Sequence, residues 1–269
     1  MLAVEQYSQT AVPPTEAWPE LQKINIPDED GKKLRVRQHV NPLRVEFQSK
    51  LVIDRTEWPS IFADPSRELF VDVGCGSGKF LLAMSQRLQQ HNLLGLDIRG
   101  ALLQRANTWA KTLGTDHRVH YLLANATISL ASILEEYPGP LTFVAVQMPD
   151  PHFKTRHQKR RTVQPKLVQD VARLMAPGGQ VFLQSDIEPV AAAMRDEFER
   201  GGKGAFALAP QHHESGTSGD PDGAHGLRWK EAGWLPDNPL GVMTERESAV
   251  LRKGGDVYRV LLQRTSLPS

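Results

Sequence analysis

The stretch LFVDVGCGSGKFLLAMSQRLQQ, residues 69–90, constrains the fold more than any other part of the chain. LFVDV reads as a short apolar strand, GCGSG as a tight loop, and the remainder as a helix with Phe80, Leu81, Met84 and Leu88 at helical spacing. The same alternation continues through the strands NLLGLDI, VHYLLANA and LTFVAVQM, with the helices ALLQRANTWAKTL and LASILEEY between them. TVQPKLVQDVARLM is an amphipathic helix stopped by APGG, then come the strand QVFLQSD, the helix IEPVAAAMRDEFER and a closing strand VYRVLLQR. Strands that are apolar throughout, alternating with helices, indicate an α/β fold: a doubly wound, mostly parallel sheet covered on both faces.

Residues 1–30 lack sustained periodicity and are expected to form a flexible or loosely docked arm, with residues 31–269 as a single domain. The interval from about 201 to 241, rich in Gly, His, Pro and Asp, reads as a long loop or insertion. No apolar stretch approaches the ~20 residues of a membrane span, and the N-terminus lacks the layout of a signal peptide, so a cytoplasmic protein is expected. The single cysteine, Cys75, excludes an internal disulfide and any multi-cysteine metal site, and no metal is expected.

Net charge is +1, yet Lys32–His39 and Lys154–Arg161 hold four and five Lys/Arg and no acid, which leaves −8 on the rest. A mildly acidic body with two concentrated basic segments favours a polyanionic ligand over a small neutral one. Each run taken alone is equally well a solvated face.

Three nucleotide-loop patterns compete for the glycine loop. A phosphate-binding G-x-x-x-x-G-K-[ST] loop fails because Val73 stands at its first glycine and Phe80 follows Lys79. A dinucleotide G-x-G-x-x-G fails because the third glycine, Gly78, comes one residue early. The form present, D-x-G-x-G-x-G, resembles the first motif of class I S-adenosylmethionine-dependent methyltransferases. Asp97 closes the second strand 23 residues after Gly74, where a carboxylate can accept from ribose hydroxyls. Asn125 closes the third, where an amide can pair with an adenine edge. Asp72, ahead of the loop, suits a ligand bearing an ammonium and a sulfonium and would repel a pyrophosphate. A loop-bracing acid is the alternative for Asp72, and Cys75 reads as a small filler.

The fourth strand delivers Asp150 to the same rim, with Pro149 and Pro151 fixing the backbone on either side. PDPHFKTRHQKRR, followed by VQP, APGG and SD, resembles the signature of tRNA (guanine-N7)-methyltransferases, which modify the guanine at position 46 of the variable loop. RVRQHVNPL resembles that family's entry segment and PLGVMTERE its closing T-x-x-E motif, so the similarity runs from about Arg35 to the C-terminus.

The resemblance implies a seven-stranded Rossmann-like sheet of the class I methyltransferase type. It also implies S-adenosyl-L-methionine bound by Asp72, Gly74, Gly76, Asp97, Asn125, Ala126 and Asp150, with Asp150 also catalytic. Substrate would be held by Lys154, Asp186, Thr244, Glu245, Arg246 and Glu247, and tRNA contacted by Arg156, His157, Gln158, Lys159, Arg160 and Arg161. This chain departs from the pattern at His152–Phe153, where many bacterial members carry Trp, and at Asn125, where an acid is common. Two of these sites have a plainer alternative: T-x-x-E is also a capping box, and an acid such as Asp186 after a strand often caps the next helix.

Two rival functions share some of these features. A small-molecule or protein methyltransferase has the loop and Asp97 but no use for the basic runs; a non-catalytic RNA-binding protein has no use for an intact cofactor loop. Monomer or homodimer is left open.

Overall fold

The computed structural model describes residues 10–23, 40–152, 155–214 and 228–266. Three short helices, α1 (Pro14–Ala17), α2 (Glu20–Lys23) and α3 (Trp58–Ile61), precede β1 (Leu69–Val73). The chain then alternates through α4 (Lys79–Arg87), β2 (Asn92–Asp97), α5 (Gly100–Thr112), β3 (Val119–Leu123), α6 (Ala126–Leu134) and β4 (Leu141–Gln147). It continues with α7 (Pro165–Leu174), β5 (Met175–Ser185), α8 (Glu188–Gly201), β6 (Phe206–Leu208), α9 (Pro210–Glu214), α10 (Glu245–Leu251) and β7 (Tyr258–Arg264).

The strands form one seven-stranded sheet in the order β3-β2-β1-β4-β5-β7-β6. β1 to β5 pair in parallel, and β7 runs antiparallel to both β5 and β6. The order reverses between β1 and β4, which opens a crevice beyond the carboxyl ends of those two strands.

Every residue of β1, β2 and β4 is buried, as their continuous apolar sequences require when helices cover both faces. On one face Val71, Val144 and Val181 pack against Leu130, Leu167 and Phe198; on the other Phe70, Phe143 and Phe182 pack against Leu81, Met84 and Leu88. Phe70 and Phe143 are register partners on adjacent strands, stacked with centroids 4.6 Å apart.

The sequence-based expectation differs from the structure in three places. Residues 10–23, part of an arm expected to be flexible or loosely docked, pack against the body with Ala11 and Leu21 buried and Val12 bridging Val242. Within the expected 201–241 loop lies the edge strand β6, whose three residues are too few to show a period. APGG is not a plain stop, because β5 already begins at Met175 and passes through a register shift before Gln180. Lys32–His39, residues 215–227 and Lys154 lie outside the described residues. Among the described residues no helix is long and apolar enough to cross a membrane, and no group of three or more His, Cys, Asp or Glu is arranged to hold a metal ion.

Candidate active site

Five strand ends converge on the crevice. From β1 come Asp72 and the glycine loop, from β2 Asp97, from β3 Asn125, from β4 Asp150 and from β5 Asp186. Gly74, Gly76 and Gly78 all have positive φ, at 82°, 57° and 80°. Gly78 is doubly constrained, since a Cβ there would lie 2.7 Å from Ala106 Cβ and 2.8 Å from the Tyr121 ring. The loop is tied to β2 by Gly74 N–H donating to the Leu96 carbonyl at 2.7 Å and Gly76 N–H donating to Asp97 Oδ2 at 2.9 Å.

Asp97 also accepts from Arg99, whose Nε and Nη2 donate at 2.9 and 2.7 Å. That bonding holds the Arg99 guanidinium firmly charged. Arg99 lines the crevice too, a residue missed in the sequence although its place two positions after Asp97 was a usable signal. Asn125 caps α6 by accepting from Thr127 N–H at 3.2 Å, and its amide donates to the carbonyls of Pro42 and Phe47, each at 3.3 Å. The amide expected at an adenine edge therefore also anchors the segment 42–47 over the site.

Asp72 is buried and accepts a 3.4 Å hydrogen bond from Gln147 Nε2. Burial pushes its carboxyl up to about 7, the Gln147 bond opposes this, and the nearby Asp97 adds to it. Because the folded value lies above the ordinary 3.8, Asp72's contribution to stability is full below about pH 4 and is lost as the pH rises to about 7. Without ligand, Asp72→Asn should therefore match the wild type in thermal unfolding near pH 4. Above pH 7 it should be more stable, by roughly 2–4 kcal/mol. An offset independent of pH would contradict this assignment.

Three cavities meet at Pro149 and Asp150. One, lined by Asp97, Arg99, Asn125, Ala126 and Arg160, follows the ends of β2 and β3. A second, of ≈ 580 Å³, runs between Lys159, Arg161 and the α8 residues Pro189, Ala193 and Glu197. A third, of ≈ 560 Å³, is bounded by Asp72, Gly76, Asp186, Thr244 and Arg246. Both volumes lie in the usual range of small-molecule sites. The backbone leading in is unusual: Met148, just before Pro149, has φ 50°, a conformation that non-glycine residues hold only where surroundings fix it.

The first turn of α10 is tied down on every side. Thr244 and Glu247 form a full capping box, with Glu247 N–H donating to Thr244 Oγ1 at 3.1 Å and Thr244 N–H to Glu247 Oε2 at 3.3 Å. Glu245 pairs with Lys79 at 2.9 Å and accepts from the Ser77 hydroxyl, linking this turn to the glycine loop. Arg246 pairs with Asp186 at 2.5 Å. α8 has no side-chain cap at its start, so Asp186 is not spent on that helix and faces the third cavity.

Glu247 is fully buried and accepts from Arg259, Gln184 and Asn238 as well as from Thr244 N–H. Of the expected substrate residues, Thr244, Glu245, Arg246 and Asp186 are thus gathered at one cavity, while Glu247 lies beneath them with its lone pairs committed. In the basic run, the backbone from Thr155 to Arg160 forms a 3-10 turn, with Gln158 and Lys159 exposed. The side chains of Phe153, Lys154, Arg156 and His157 lie outside the described residues.

The reversed strand order, the antiparallel β7 and an acid–glycine loop at the switch point define a class I methyltransferase. The family model described as "Putative methyltransferase" matches residues 66–215. A tRNA (guanine-N(7)-)-methyltransferase of Trichormus variabilis is 43% identical over 234 residues, 87% of this chain and 97% of that protein. One of the same name from Synechocystis sp. is 40% identical over 233 residues, 87% of this chain and 99% of that protein. The chain belongs to the tRNA (guanine-N(7)-)-methyltransferase family.

Proposed function

We propose that the protein transfers a methyl group from S-adenosyl-L-methionine to N7 of the guanine at position 46 in the variable loop of tRNA, acting in the cytoplasm. The observation that carries this reading is the position of Asp150, where a cavity following the cofactor strand ends, a cavity under the basic run and a cavity under the T-x-x-E turn all meet.

The residues fit the cofactor. Asp72 is a buried acid beside a second acid, Asp97, a setting that favours a cationic amino-acid end and disfavours phosphates. Asp97 and Asn125 would hold the ribose and adenine, with Arg99 beside them. When bound, S-adenosylmethionine supplies a methyl group made electrophilic by its sulfonium, and the methyl passes to guanine N7 as its bond to sulfur breaks.

Guanine N7 carries a free lone pair, so no side chain has to withdraw a proton before transfer. The modified ring is cationic, and Asp150 stabilises that charge as it develops. Asp186 and Thr244 offer acceptors for the guanine N1–H and amino group. The rest of the rate gain comes from holding the base in line. A base in folded RNA must first be turned out of its stack, and Lys159 and Arg161, along the second cavity, grip the neighbouring phosphates.

Incubating the protein with methyl-labelled S-adenosylmethionine and an unmodified tRNA transcript is expected to label the RNA, whereas labelled protein and unlabelled RNA would contradict the assignment. Lys159→Ala with Arg161→Ala should weaken tRNA binding about tenfold at moderate salt. It should also reduce the slope of log affinity against log salt by roughly one to two. An unchanged slope would place the RNA elsewhere on the surface.

A further inference from the structure

A row of buried polar side chains crosses the sheet just beneath the site, one from each of four adjacent strands: Asp72 on β1, Gln147 on β4, Gln184 on β5 and Arg259 on β7. Register aligns three of them, Gln147 standing opposite Gln184 and Gln184 opposite Arg259, while Asp72 stands opposite Ala145, two residues before Gln147 on the same face of the sheet. Val71, Val73, Val146, Leu183 and Val260 beside them in these strands are apolar, and the row ends on the buried Glu247 of α10.

The hydrogen bonds run outward from Gln184 toward an acid at each end. Gln184 Nε2 donates to Gln147 Oε1 at 2.8 Å and to Glu247 Oε2 at 3.1 Å. With its oxygen so engaged, Gln147 turns its own Nε2 to Asp72 Oδ1, at 3.4 Å. Glu247, ion-paired to Arg259 and so an acceptor only, sets this arrangement from its end, because Gln184 turned over would set its oxygen against those of Glu247 and Gln147. Holding it leaves Gln184 Oε1 buried without a hydrogen-bond partner among the described residues. Side chains free to relax would avoid that loss.

We propose that Gln147 and Gln184 are positioning residues: one amide chain presents a donor to the acid that receives the cofactor's cationic end and, from its other end, a donor to the acid that caps the T-x-x-E turn. This rests on the S-adenosylmethionine-dependent reading above. Neither glutamine needs to touch the reacting atoms. Gln147 favours the ionised form of Asp72, the form a cationic ligand requires. Gln184 acts through Gln147, and its removal frees the Gln147 carboxamide to turn its oxygen toward Asp72, which favours the protonated acid. Among the described residues, the titratable groups nearest Asp72 are Asp97, Cys75 and Tyr121, with Arg99 bound to Asp97, and Asp150, Asp186, Glu245 and Arg246 share its cavity. Both variants leave all of these in place.

The test is binding of S-adenosylmethionine to the purified protein by calorimetry, between pH 5.5 and 8.5. 5′-Methylthioadenosine, which has the nucleoside but no amino-acid end, serves as a second probe. Wild-type affinity for S-adenosylmethionine should rise with pH and level off. In Gln147→Leu the rise should move up by roughly one pH unit, with affinity near pH 7 about tenfold weaker. Gln184→Met should move it the same way although it contacts no cofactor-binding acid, and methylthioadenosine affinity should stay within about twofold in both variants. Thermal unfolding confirms that each variant is folded, and if one is not, the other carries the test alone.

A folded Gln184→Met with the wild-type pH profile overturns the proposal. So does an equal loss for both probes, which would mean general distortion of the site. A wild-type protein that binds no S-adenosylmethionine at any pH refutes the proposed function itself, an outcome distinct from either of these.

Discussion

Asp150→Ala is expected to lower the rate of methyl transfer to tRNA by about a hundred- to a thousandfold while leaving tRNA affinity within about twofold. Asp150 stands where the three cavities meet, braced by Pro149 and Pro151 and approached through Met148 in a left-handed conformation. In the proposed reaction that bracing would hold a negative charge where the positive charge of the product ring develops, and a fixed charge needs no reorganisation during transfer. Alanine removes the charge and leaves in place Lys159 and Arg161, the residues proposed to grip the RNA. Asp150→Asn keeps the shape and should share most of the loss. Because Asp150 also interacts with Arg99 through space, some loss of cofactor affinity is expected alongside. Single-turnover kinetics at saturating cofactor separate the two effects. A variant that lost tRNA affinity in step with turnover would show that Asp150 binds rather than catalyses.

The second large effect is on stability. Glu247 is 0% exposed and its partner Arg259 sits in β7 with a side chain only 5% exposed, the two joined at 2.8 Å. Removing one member of such a pair leaves a buried charge uncompensated, so Glu247→Ala should lower unfolding free energy by about 3–5 kcal/mol. Arg259, Gln184, Asn238 and the Thr244 N–H would all lose an acceptor together. Replacing both partners, as in Glu247→Met with Arg259→Met, should recover much of the loss, because two apolar side chains leave neither charge stranded. Denaturant unfolding of the wild type, Glu247→Met, Arg259→Met and the double variant measures this. A Glu247→Ala variant with wild-type stability and defective only toward tRNA would instead make Glu247 a direct guanine ligand.

The parallel core was readable because strands buried on both faces write themselves as near-continuous apolar runs, and LFVDV, NLLGLD and LTFVAVQ do so. The strand ends were readable as well, because the site residues stand where those runs stop. What stayed hidden depends on partners distant in sequence. Docking of residues 10–23 rests on Val12 meeting Val242, and β6 exists because it pairs with β7. Gln147 and Gln184 look like isolated polar residues until register sets them side by side. T-x-x-E could be read as a cap or as a substrate motif. The capping box forms, with Thr244 at the cavity wall and Glu247 buried below it. Asn125 likewise fits an adenine edge, yet its amide also holds the segment 42–47, a contact that no local spacing announces.

The central claim, methylation of one tRNA guanine at N7, is tested most directly by chemistry that cuts RNA only at N7-methylguanine. After incubation of an unmodified tRNA transcript with the protein and S-adenosylmethionine, scission is expected at a single site in the variable loop, at position 46. In single-turnover time courses it should form about a hundredfold more slowly when Asp150→Asn replaces the wild type. Methyl label in the RNA without scission would move the reaction to another atom, and scission elsewhere would move it to another guanine; either result contradicts the account.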